Sequence, residues 1–170
     1  EATEVGEYKG EQNHYLKISV DLSWSAPGDN GGSPVTGYVV RCSAMQGTQP
    51  YTGSTATPCK GGAQVATAGG SATGTTVTLD RIDPANTWIK WEVAAVNVVG
   101  TGAYRTAQVT VPNVVGAFSW HAYQLARIVG LAASGGTKPA CTVADKICEQ
   151  SVPKGDTTSS GQTFVMYEKP

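Results

Sequence analysis

The sequence predicts a mainly β protein: an antiparallel β-sandwich followed by a C-terminal extension that holds one amphipathic helix and a terminal strand. Three observations carry this. Leu16, Ile18, Val20, Leu22 and Trp24 alternate with Lys17, Ser19, Asp21 and Ser23, which is the period of a half-buried strand. More short apolar runs follow, divided by clusters of Gly, Pro, Asn and Asp. Thr (20) and Ser (12) together outnumber the charged residues, which make up 15% of the chain against roughly 25% in average domains.

Residues 1–13 read as a polar N-terminal arm, with Glu1, Glu4, Glu7 and Glu11 against a lone Lys9. The strand from Leu16 runs into Pro27-Gly28-Asp29-Asn30-Gly31-Gly32-Ser33-Pro34, a dense turn signal. Gly37 to Cys42 is a second strand. Residues 46–75, rich in Gly, Ser, Thr, Ala and Pro, read as one long connection. Thr76 to Leu79 is a third strand, and Ile89, Trp91, Val93 and Ala95 form the inward row of a fourth. Asn97 to Gly102 is a turn. Ala107 to Val111 closes the set, and Pro112 stops it.

The residues from about 14 to 112 resemble a fibronectin type III domain. The resemblance rests on Leu22-Ser23-Trp24 with Pro27, on Gly31 to Tyr38, on Leu79, Ile82, Asp83 and Pro84, and on Ala94-Ala95-Val96-Asn97 with Val99 to Gly102. It implies an antiparallel sandwich with Trp24 as its inter-sheet core tryptophan, and binding or spacing rather than catalysis; the expected core is Leu22, Trp24, Tyr38, Leu79, Trp91 and Val93. Two places depart from that pattern. Trp88 stands where the family carries a corner tyrosine, and the alternation after it is shifted by one; a bulge or an outward Trp88 reconciles the two. The slot before the first long strand reads Gly10-Glu11-Gln12-Asn13, a poor strand sequence.

No family resemblance covers residues 113–170. Ser119 is placed to cap a helix over about 119–131, with His121, Gln124 and Arg127 on its polar side and Trp120, Tyr123, Leu125 and Ile128 among the apolar residues. A cysteine loop at 141–148 and a polar linker at 153–162 follow. Thr163 to Tyr167 has strong strand propensity and is apolar on both faces. It is expected to add to a sandwich edge, within the chain or from a neighbour, in place of the poorly filled slot.

The four cysteines lack the spacing of a zinc half-site. Of the three pairings, the local one, Cys42 with Cys59 and Cys141 with Cys148, closes two short loops and is the expected one. That points to an oxidising space, secreted or lumenal, with any presequence already removed. A net charge of −1 gives no nucleic-acid footprint. The longest apolar stretch, Ala117 to Ala133, is too interrupted to cross a bilayer. His14 and His121 share no ligand spacing, no nucleophile elbow or phosphate loop occurs, and Asp29-Asn30-Gly31 reads as a turn rather than a calcium loop.

No cofactor, metal or catalytic group is therefore expected, and the chain reads as a non-catalytic structural or interaction protein. Its expected partners are proteins, either copies of itself or other subunits of an assembly. The contact candidates are Trp88, Trp120, Tyr123, Leu125, Ile128, Phe164, Val165 and Tyr167. The alternative is an accessory module that binds a carbohydrate or another ligand.

Overall fold

The computed structural model describes residues 16–46, 49–50, 59, 62–82 and 88–170. The expected arm at 1–13, the slot at Gly10 to Asn13, His14 and the Asp83-Pro84 pair lie outside the described residues.

The alternation of the first segment yields β1 (Leu16–Ser23), and the second strand extends to β2 (Gly37–Gln46). A short β3 (Gln49–Pro50) and then β4 (Ala63–Gly69) follow, both within the stretch read as a connection. Next come β5 (Gly74–Ile82), β6 (Trp88–Asn97), β7 (Gly100–Thr101), β8 (Arg105–Thr106) and β9 (Gln108–Thr110). The extension adds α1 (Ser119–Val129), β10 (Ala132–Thr137), β11 (Glu149–Gln150), β12 (Thr157–Ser159) and β13 (Thr163–Glu168).

Two antiparallel sheets face each other. One runs β12-β9-β1-β5; the other runs β3-β2-β6-β7, with β4 also on β2 and β8 also on β6. Their inward side chains share one core. Val20, Leu22, Trp24, Val77, Leu79 and Val109 come from the first sheet, and Tyr38, Val40, Cys42, Ile89, Trp91 and Val93 from the second. All six core residues expected from the sequence are buried. The rings of Trp24 and Tyr38 meet across the sheets at 5.3 Å between centroids.

The β2–β6 register runs unbroken from Gly37↔Val96 to Met45↔Trp88, so no bulge absorbs the shift at Trp88. Trp88 lies on the opposite face from Ile89 and Trp91, where a Cβ on Gly161 would stand 3.2 Å from its ring.

The segment 105–110 changes sheets. β8 pairs with β6, and three residues later β9 pairs with β1 through Leu22↔Val109 and Ser23↔Gln108. β12 then adds outside β9 through Thr158↔Val109. The expectation that Thr163 to Tyr167 takes a sandwich edge is therefore corrected. A strand of the extension does join the sandwich, but it is Thr157–Ser159, inside the stretch read as linker. β13 instead lies at the centre of a separate three-stranded sheet, parallel to β10 and antiparallel to β11. Both its edges are paired and Phe164 and Met166 are buried, so it has nothing to donate to a neighbour.

The helix ends at Val129, two residues short of the expected range of about 119–131. Gly130 adopts φ 97°, its N–H donates to Arg127 O, and Leu131 N–H donates to Ala126 O, the paired bonds of a Schellman cap. Helix, small sheet and sandwich share a single core through Val111, Val114, Ala126, Ile128, Leu131 and Phe164.

Candidate functional site

Two places in the described residues present large apolar side chains to solvent. The first is the turn after β6. Asn97 Oδ1 accepts from the N–H groups of Val99 (2.9 Å) and Gly100 (3.2 Å). Its Nδ2 donates to the carbonyls of Asn30 (2.8 Å) and Ser33 (3.4 Å). One side chain thus closes its own turn and ties it to the loop after β1. That loop is shaped by side chains in turn: Gly31 N–H donates to Asp29 Oδ1 (2.8 Å) and Gly32 N–H to Asn30 Oδ1 (3.0 Å). Gly31 and Gly32 have φ of 67° and 79°, which glycine adopts without strain. Val98 and Val99 stand out at 82% and 78% exposure. Both turns line an open cleft of about 700 Å³, with Trp24, Tyr38 and Arg105 also in its wall. Trp24 is fixed there because its Nε1 donates to Ala72 O at 3.1 Å.

The second place is the start of α1. Phe118 occupies the N-cap position without a side-chain cap bond, so Ser119 is the first helical residue rather than the cap. Its hydroxyl donates to Glu168 instead. The N–H of Ser119 donates to Asp145 O, Gly116 N–H to Ile147 O and Ile147 N–H to Ala117 O. These bonds stitch the helix entry to the loop closed by Cys141–Cys148, and both expected disulfides, Cys42–Cys59 and Cys141–Cys148, are present. Val115, Phe118, Trp120 and Val143 lie on these two stitched segments, and all four are exposed. The Lys146 ammonium sits 5.2 Å from the Phe118 ring centre, and Trp120 stacks on His121 at 5.4 Å.

Three charge-bearing groups elsewhere are tuned by neighbours. Burial alone would push the Glu92 carboxyl up, but hydrogen bonds and attraction from Lys90 and Arg41 outweigh it and hold Glu92 below the usual glutamate value. Arg41 also stacks on Tyr104 at 3.7 Å. The Thr76 hydroxyl, 2.6 Å from Asp21, holds that carboxyl low. Burial, reinforced by the Glu168 carboxylate, pushes the Tyr123 hydroxyl up.

The eight contact candidates do not form one surface. Ile128 and Phe164 are core residues, which removes them from any surface role, because the helix and β13 pack inward. Trp88, Tyr123, Leu125, Val165 and Tyr167 are half-buried, and Trp120 is exposed. Among the described residues no three His, Cys, Asp or Glu side chains come together as a metal cluster.

Comparison with protein-family models, curated proteins and solved structures returned no match. The residues themselves then carry the functional argument. Those that sequence reasoning missed are Val98, Val99, Val115, Phe118 and Val143. A signal existed for the first two, because apolar residues inside an Asn-x-x-Gly turn have no sheet face to hide on. Val115 and Phe118 flank Gly116, a turn glycine at φ 87°.

Proposed function

We propose that this chain is a non-catalytic interaction module, a fibronectin type III-like sandwich with a fused helical extension, that serves as a protein-held subunit of a secreted or lumenal assembly. The observation that carries this reading is the exposure of Val115, Phe118 and Trp120 at the start of α1 and of Val143 in the cysteine loop stitched to it. Aromatic side chains with a neighbouring cation, held on rigid backbone, have the composition of interface hot spots. Two disulfides fit an oxidising compartment, and among the described residues no helix is long and apolar enough to cross a membrane. Light scattering on native material tests the proposal. The wild-type chain should run in a species heavier than its own 17.6 kDa. Phe118→Ala with Trp120→Ala should return it to one chain without shifting the thermal midpoint. A wild-type species of single-chain mass in native material, unchanged by those substitutions, sinks it.

The cleft that the two turns line favours a second reading, an accessory module for a carbohydrate or other small ligand. Indole fluorescence during titration with a saccharide panel separates the two: saturable quenching that Trp24→Phe abolishes supports the ligand reading, and a flat response removes it.

A further inference from the structure

Asn30 is followed by Gly31, the one Asn-Gly pair in the sequence. Both residues are exposed, and beyond the two neighbouring residues no atom lies within 4 Å of where a Gly31 Cβ would be. Two side-chain hydrogen bonds of the Asx-turn kind surround this pair. The Asp29 carboxylate accepts from the Gly31 N–H at 2.8 Å, and the Gly32 N–H donates to the Asn30 side-chain carbonyl at 3.0 Å. One neighbour thus holds a proton acceptor on the backbone nitrogen. The other holds a donor on the oxygen of the adjacent carboxamide.

We infer that Asn30-Gly31 is a self-modification site, where the fold drives conversion of the asparagine to aspartate and isoaspartate through a cyclic imide. The Gly31 nitrogen attacks Cγ of Asn30, and Asp29 takes the proton from that nitrogen. The charge that develops on Oδ1 is met by the Gly32 N–H, the arrangement of an oxyanion site. The tetrahedral carbon collapses, its bond to the side-chain nitrogen breaks, and that nitrogen leaves as ammonia with the proton returned from Asp29. Water then opens the five-membered ring. Attack at the former side-chain carbonyl gives aspartate, and attack at the main-chain carbonyl gives isoaspartate. One water is consumed, one ammonia is released and nothing is oxidised or reduced. The substrate is the chain itself and the co-reactant is water.

The site has a structural reach. The carbonyl of Asn30 is the acceptor that Asn97 Nδ2 holds at 2.8 Å. In the isoaspartate product the chain runs through Cβ and Cγ, and that carbonyl becomes a carboxylate hanging off it. The tie between the loop and the Val98-Val99 turn is then remade around a new negative charge, at the wall of the cleft.

Peptide mapping of the intact chain, incubated at neutral pH and probed for isoaspartate, tests the inference. Rates are compared with a synthetic peptide of residues 25–36, and each variant is compared with its matching peptide. Conversion at Asn30 in the folded chain should exceed the peptide's by about tenfold or more. Asp29→Ala should return the folded rate to that of its own peptide, and Asn13, Asn86, Asn97 and Asn113 should stay unmodified meanwhile. A folded rate at or below the peptide rate overturns the inference, as does an Asp29→Ala chain that keeps the wild-type advantage.

Discussion

Single atoms decide how the extension seats on the sandwich. A Cβ on Gly130 would lie 2.6 Å from Ile89 O and 2.8 Å from Ser160 Oγ, on top of its left-handed φ. Gly130→Ala should therefore cost about 2–4 kcal/mol, adding overpacking to backbone strain. Gly155→Ala, also left-handed but with open space around it, should cost only about 1–2 kcal/mol; denaturant unfolding of both variants checks the difference. Ser160 is buried, accepts from the Trp91 N–H at 3.1 Å and faces the carbonyls of Ile89 and Gly130. Gly130 was only half legible in the sequence, because the helical pattern could end there or at Gly135. Ser160 was not legible, since its partner on β6 lies 69 residues away. Glu92 sets a pH dependence. Its carboxyl is held low in the fold, so its stabilisation is fully present above the unfolded glutamate pKa of about 4.3 and is lost as pH falls through the lower folded value. Glu92→Gln should be less stable than wild type at neutral pH. The gap should close on acidification, as thermal melts at a series of pH values will register.

Elements were legible where large apolar residues alternate and were missed where small residues do the pairing. β1 and β6 carry Val, Leu, Ile and Trp on one face, a signal of period two. β4 reads Ala-Gln-Val-Ala-Thr-Ala-Gly and β10 reads Ala-Ala-Ser-Gly-Gly-Thr; neither alternates large apolar residues, and each is paired along its length by a stronger neighbour, β2 or β13. The glycines of β10 are needed for contact: a Cβ on Gly136 would stand 2.8 Å from the Tyr167 ring, and one on Gly135 would collide with the Tyr123 hydroxyl. β12 was hidden in a polar stretch because Thr157-Thr158-Ser159 carries no apolar alternation to mark its pairing with β9. The helical pattern alone would bury both Leu125 and Ile128, but the structure buries them unequally. Ile128 is fully buried and Leu125 half-buried, so Ile128→Ala should cost about 2–5 kcal/mol and Leu125→Ala less than half of that. Equal costs in urea unfolding would contradict this packing.

At the scale of the molecule, the sequence divides at Pro112 but the core does not. Val111 N–H donates to Asp156 O, Gly155 N–H to Val111 O and Ser160 N–H to Ala107 O, so the extension is bonded along the last sandwich strand. Calorimetry should show one cooperative transition for the whole chain. A chain ending at residue 112 should melt at a lower temperature, because Trp91 loses its cover and β9 loses β12. Two separate transitions in the intact chain would refute the shared core. The candidate site was only partly readable for the same reason: Trp120 announced itself, while the stitching of residues 116–119 to 145–147 depends on chain paths that no local pattern encodes. A core that crosses the boundary also acts as a gauge. The valine tip at residues 98–99 and the aromatic corner at 118–120 belong to one solid body, with no linker between them to swing. Whatever each end touches is then held at one spacing and one angle, so a series of such contacts would repeat with a fixed pitch, set by the seam around Gly130 and Ser160.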